Sequence, residues 1–384
     1  DLSQADMARL TGLSATSISR DLNGRRKITN HLHIRAALDR LGAPRSVWEH
    51  PEPLTDTAPP VEPGALLEVL GRSAVDLVHQ AEAEAVSAWS AAAVDDQLRG
   101  AADRYLTVPI DQTLADLVQI DTRVGAWRRQ ALPLFRAREV WALAGWHAAL
   151  TGWICVDRGR PDLAGVHARA AQMCAEHSGH EGVAAWAAMV RRTMAYWQSR
   201  RRQGADHAAA GLAAARRVGG GAHLITLSAL AQDQAYLGEH EQAVKLLDQA
   251  RQVLERQDST PDSDLGGPLA CPPSRAYGYW VETLVDMGRS GEAVAVAEEG
   301  LEVAAEQMVR NHGSERMLQV HRALALARVG RVEEAVAAVE PILATPVSMR
   351  AQPLKLRLRQ VGRSLPAGTE TSTLRQRINE FARP

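Results

Sequence analysis

The chain has almost no lysine. Of its 44 Lys and Arg residues only Lys27, Lys245 and Lys355 are lysine, and with 45 Asp and Glu the 384 residues carry a net charge of −1. Such a chain is no polycation, so any affinity for nucleic acid has to come from a local patch. Cysteine is scarce too: Cys155, Cys174 and Cys271 are scattered. They cannot build a disulfide framework, which fits a reducing, cytoplasmic location. No stretch approaches the roughly 20 apolar residues of a membrane helix, and no signal-peptide pattern opens the chain, so no membrane association is expected. Neither a P-loop, a dinucleotide-binding glycine fingerprint nor a nucleophile elbow is present. Cys174, His177 and His180 follow at intervals of three but lack a fourth partner for zinc. The expectation is therefore of no enzyme, no metal site and no cofactor.

What is present is helix-forming sequence. The chain is 46% hydrophobic and 23% charged, long enough for two or three units, and dominated by Ala/Leu/Val-rich stretches broken at Gly, Pro and charged turns. The fold class expected is all-α. Aromatics make up only 4%, yet nine are Trp against two Phe.

The opening stretch "LSQADMARLTGLSATSISRDLNGRRKIT" reads as two short helices. Ser3 caps the first, with Asp6 three residues on, and Leu2, Met7, Ala8 and Leu10 supply its apolar face. Gly12 ends it, and Ser14 caps the second, whose Ile18 and Leu22 share an inward face. Ala15, Thr16, Ser17, Ser19, Arg20 and Asn23 then face outward, before Gly24 and the basic run Arg25, Arg26, Lys27. Residues 1–44 hold seven Lys/Arg against four Asp/Glu, a balance of +3.

Gln4, Ala8, Gly12, Ile18, Asn23 and Gly24 stand where phage-repressor-like, or Xre-type, helix-turn-helix units carry Gln, a small residue, Gly, a β-branched core residue, Asn and Gly. The stretch resembles that family over about residues 1–45. The resemblance implies that Ala15, Thr16, Ser17 and Arg20 face base edges of operator DNA, where Arg suits guanine and the Thr methyl suits thymine. It implies phosphate contacts for Gln4, Ser19, Asn23, Arg25, Arg26 and Lys27. Family domains carry a helix before the one at Ser3, so residues 1–48 are expected to lack the domain's first helix. Such heads work as dimers, which implies a homodimer on double-stranded operator DNA.

Residues 49–63, within "EHPEPLTDTAPPVEPG", form a proline-rich linker. In the remainder, 64–384, five segments place Gly in a turn and Ala five residues later: Gly159/Ala164, Gly204/Ala209, Gly238/Ala243, Gly288/Ala293 and Gly330/Ala335. Gly permits a sharp turn between antiparallel helices and Ala permits their close approach. The pattern resembles degenerate tetratricopeptide-like repeats, with glycine spacings of 45, 34, 50 and 42 residues. An insertion lies at 256–274, and a last helix near 370–381 is expected to cap the stack. The resemblance implies an α-solenoid with a concave groove. Trp146, Trp153, Trp186, Tyr196, Trp197, Arg200, Tyr236, Tyr277 and Trp280 are the expected groove residues, with Arg191, Arg192, Arg201 and Arg202 placed to meet a carboxylate. The function implied is a sequence-specific transcriptional regulator whose repeat domain dimerises and senses a signalling peptide or a small molecule. The alternative is a protein-interaction scaffold with a vestigial head.

Overall fold

The computed structural model describes residues 88–105, 107–108, 110–256, 263–308 and 310–383, all within the second of two units into which the chain divides, 84–384. The head, its ten expected DNA-contacting residues, and the linker lie outside the described residues. Within them the fold is all-α, with no β-strand. The helices are α1 (Ala88–Arg104), α2 (Ile110–Arg128), α3 (Leu134–Asp157), α4 (Pro161–Ser178), α5 (Glu181–Trp197), α6 (Arg201–Val218) and α7 (Gly220–Tyr236). They continue as α8 (His240–Arg256), α9 (Pro273–Asp286), α10 (Ser290–Glu306), α11 (His312–Arg328), α12 (Val332–Leu343), α13 (Gln352–Ser364) and α14 (Thr369–Phe381). No described helix is long and apolar enough to cross a membrane.

From α3 onward the helices form antiparallel pairs. The odd-numbered members α3, α5, α7, α9 and α11 are apolar around most of their circumference and pack on both sides, whereas the even-numbered members bury a single face. Helix α8 shows that face plainly: Ala243, Leu246, Leu247 and Ala250 are buried at helical spacing, and the rest is polar. Odd-numbered helices also pack on one another, α7 on α9, α9 on α11 and α11 on α13. The curl is tight enough that α13 returns against α3. There Arg158 Nη2 donates to the Ser348 carbonyl at 3.0 Å. Helix α14 closes the end by burying Leu374, Ile378 and Phe381 against α12 and α13, close to the expected span.

Each pair up to α11/α12 turns through one hydrogen-bonded device. A residue with positive φ donates to the carbonyl three residues back, and the next residue donates to the carbonyl five back. At the first turn these are Gly159 to Val156 at 3.0 Å and Arg160 to Cys155 at 2.8 Å. This is the left-handed helix cap that glycine favours, and Gly159, Gly238, Gly288 and Gly330 occupy it with φ between 69° and 87°. The second copy departs from the expected register. Its turn residue is Ser199, at φ 61°, donating to Tyr196 at 3.0 Å, with Arg200 donating to Ala195 at 2.9 Å. Gly204 lies inside α6, five residues past that turn, level with the fully buried Ala164, Ala243, Ala293 and Ala335. Ala209, expected to pack, is exposed. The reason is steric. A Cβ at position 204 would lie 3.3 Å from Asp233 Oδ2, so glycine stands where the other copies have alanine.

The inserted segment is structured in part. Residues 263–272 fold against α1 and the inner face of the pairs, burying Leu265 and Leu269. Trp186 Nε1 donates to the Ser263 carbonyl at 2.9 Å and to Asp264 Oδ1 at 3.1 Å. Gly267 N–H donates to Asp103 Oδ1 at 3.0 Å. At Gly267, with φ 51°, a Cβ would sit 1.9 Å from the Ala102 carbonyl oxygen, so only glycine fits.

Candidate functional site

Because the odd-numbered helices curl until α13 meets α3, they enclose a cavity of about 840 Å³, within the range of small-molecule sites. Its walls come from α3, α5, α7, α9, α11 and α13, with the end of α1 and the 263–272 segment covering one side.

Single charged residues inside otherwise apolar helices meet in its wall. Arg192 on α5 forks onto Asp233 on α7, Nε to Oδ2 at 2.8 Å and Nη2 to Oδ1 at 2.9 Å, and also donates to the Ala229 carbonyl at 3.2 Å and to Gln232 Oε1. Burial opposes the Arg192 charge, but Asp233 outweighs it and raises the pKa. Arg201 extends the layer, 3.5 Å from Asp233 and 3.7 Å from Glu282. Glu282 on α9 accepts from Tyr196, Gln232 and Arg357, the last at 2.6 Å. Burial alone would raise the Glu282 pKa, but the Arg357, His321 and Arg201 charges hold it below the usual range. Five helices, α5, α6, α7, α9 and α13, are thus tied by one polar layer.

His321 on α11 is set by this layer. Burial and the neighbouring Arg357 lower its pKa to about 4, so the ring is neutral near pH 7. Nδ1 lies 2.6 Å from the Gly278 carbonyl, which can only accept, so Nδ1 carries the proton and Nε2 is left as an acceptor. Among the described residues Nε2 has no hydrogen-bond partner, and neither have Thr193 Oγ1, Ser314 Oγ or Arg357 Nε. All four atoms are buried on residues that line the same cavity. Elsewhere the wall is aromatic. Arg275 lies over Trp153 at 5.1 Å and Arg357 over Trp197 at 5.3 Å. Asp157, beside Tyr105, is pushed up to about 6 by burial.

Of the nine expected groove residues, Trp153, Tyr196 and Trp197 line this cavity. Trp146, Trp186, Tyr277 and Trp280 are buried in the packing between helices. Tyr277 lies against Gly300, where a Cβ would come within 2.5 Å of its ring, and Trp280 Nε1 donates to Ser228 at 3.0 Å. Arg200 and Tyr236 face outward, because Arg200 follows a turn and Tyr236 ends α7. The carboxylate that Arg192 and Arg201 meet is the chain's own Asp233. The aromatic pattern did not point to Thr193, Glu282, Ser314, His321 and Arg357. The available signal was an ionisable residue set among apolar neighbours, such as Glu282 in "YGYWVETLVD" or His321 in "MLQVHRALALAR". His177 stacks on Trp141 at 4.7 Å and His180 caps α5 by accepting from Val183 N–H at 3.3 Å. Among the described residues no group of His, Cys, Asp and Glu is placed to hold a metal ion. Searches of known family models and of curated proteins return no match to this chain.

Proposed function

We propose that the chain is a cytoplasmic, sequence-specific DNA-binding transcriptional regulator of the Xre type, with a tetratricopeptide-like solenoid that dimerises and senses a ligand. The DNA-reading half rests on sequence: Gln4, Ala8, Gly12, Ile18, Asn23 and Gly24 agree together with a helix-turn-helix, and Thr16 and Arg20 take the base-facing positions. The sensing half rests on one observation above all, four buried polar atoms without partners in the wall of a single cavity. Buried polar groups are nearly always paired, so such a set points to a partner supplied from outside.

The two halves act together if the ligand prefers one arrangement of the body. Thr193, Ser314, His321 and Arg357 belong to α5, α11 and α13, so a ligand satisfying them ties early and late helix pairs together. In a dimer that change would alter how two heads sit on half-sites about 34 Å apart. The scaffold alternative needs a groove open along its length, and the return of α13 to α3 counts against it.

Footprinting on a selected operator tests the head. Arg20→Ala is expected to abolish protection of the preferred site while retaining weak binding to any duplex. Replacing Arg25, Arg26 and Lys27 by Ala is expected to weaken binding to all sequences and flatten the log–log salt slope by roughly 2.7, three phosphate contacts' worth. An unchanged footprint with Arg20→Ala contradicts the proposal.

A further inference from the structure

The four unpartnered atoms are not spread evenly along the cavity. His321 Nε2 and Arg357 Nε belong to residues that flank one carboxylate: Arg357 Nη2 lies 2.6 Å and His321 Nε2 lies 3.9 Å from the two Glu282 oxygens. Ser314 is on the same helix as His321 but seven residues earlier, about 10 Å of helix rise away. Residues Thr193, Ser314, His321 and Arg357 are 5%, 6%, 7% and 3% exposed, so water reaches none of them freely. The cavity therefore has two polar ends, and the rings of Tyr105, Trp153, Trp197 and Tyr279 also line it.

The two ends differ in chemistry. At the inner end His321 Nε2 is an acceptor and Arg357 Nε a donor, so a fitting group must donate one hydrogen bond and accept another. A hydroxyl beside a carbonyl does this. At the outer end Ser314 lies in the first turn of α11, whose N–H groups favour negative charge. Asn311 caps that turn, accepting from Ser314 N–H at 2.9 Å. Arg310 is tied to Glu315, at 3.0 and 2.6 Å. Among the described residues Arg316 donates to the His312 carbonyl and forms no salt bridge. Both Arg310 and Arg316 line the cavity. A free cation, an unpartnered hydroxyl and a helix N-terminus together suit a carboxylate.

We infer that the cavity binds an elongated, drug-sized aromatic carboxylate, its hydroxyl–carbonyl face held by His321 and Arg357 and its carboxylate by Ser314 and Arg316. This rests on the sensing half of the proposed function and assigns its ligand class. An extended peptide needs polar partners at every residue along a continuous groove. Here the unpartnered polar atoms come from four residues on three helices, and the 263–272 segment fills part of the inner face.

Calorimetry and tryptophan quenching on the full chain test this, with a dihydroxyanthraquinone carboxylate as probe and the same dihydroxyanthraquinone without its carboxylate as comparison. One saturable site per chain is expected, tighter for the carboxylate by roughly tenfold. Thr193→Val and Ser314→Ala should each weaken the carboxylate probe roughly three- to tenfold, and Ser314→Ala should erase the preference for it. Both variants remove a buried hydroxyl that has no partner, so their urea midpoints should stay level or rise. A merely structural role would lower them. The inference is overturned if neither probe saturates, if both variants leave affinity unchanged, or if a random peptide pool displaces the probe stoichiometrically. Probe binding and operator footprinting are separate readouts: a lost footprint with intact probe binding sinks only the DNA-reading half, and the reverse sinks only this ligand assignment.

Discussion

Replacing Arg192 by methionine should destabilise the body as much as a large aliphatic truncation in its core. Arg192 and Asp233 side chains are 1% and 0% exposed. The substitution deletes four hydrogen bonds and leaves Asp233 buried, with Arg201 at 3.5 Å as its remaining cation. Breaking one partner of such a pair costs about 3–5 kcal/mol, because the surviving charge stays desolvated. With a urea m-value of about 3 kcal/mol per molar, the midpoint should fall by about 1–1.7 M. The double variant Arg192→Met/Asp233→Leu removes both charges and keeps the volume, since the leucine methyls replace the carboxylate oxygens over Gly204. It should recover most of that loss, giving a coupling of at least about 2 kcal/mol. Urea unfolding followed by tryptophan fluorescence on all four members of the cycle measures it. A single-variant loss under about 1 kcal/mol, or a double variant as weak as the sum of the singles, refutes the reasoning that this pair is a desolvated tie between α5 and α7.

Three further outcomes follow from the same geometry. Gly204→Ala should destabilise, although alanine is the better helix former by about 1 kcal/mol, because its Cβ would crowd Asp233 Oδ2 at 3.3 Å. A raised thermal midpoint would contradict the register assigned to the second pair. Gly267→Ala should cost about 3 kcal/mol through backbone strain and the clash with Ala102, and hydrogen exchange should rise across 263–272; unchanged protection there would count against the docked segment. Asp286→Asn addresses pH. Burial, aided by Glu282, raises the Asp286 pKa from 3.8 to about 7. Between those values the folded state holds the proton that the unfolded state has lost, so this group's contribution to stability falls as pH rises. The stability of Asp286→Asn relative to the parent should therefore grow from pH 5 to pH 8, and urea melts showing the opposite trend would refute it.

The helix pairs were legible because their turns and small residues are local features: a left-handed cap needs glycine wherever it occurs, and four of the five assigned glycines take it. The second copy misled for a physical reason. Ser199 adopts the turn conformation that glycine usually supplies, while Gly204 answers to a carboxylate 29 positions later in the chain. Aromatic residues marked the odd-numbered helices but not which side chains reach the cavity, since Trp186 and Trp280 serve packing and an inner segment as readily as a wall. The cavity itself depends on α13 returning to α3, and no local pattern reports a contact between residues 158 and 348. Ionisable residues at core-facing positions were the overlooked signal, because such a residue has to find a buried partner or a ligand.

Selecting genomic fragments bound by the full-length protein tests the regulator account most directly. It predicts enrichment of one short sequence in two related half-sites about one helical turn apart, lost with Arg20→Ala. Recovery of fragments with no shared sequence, or the same enrichment with Arg20→Ala, would contradict it.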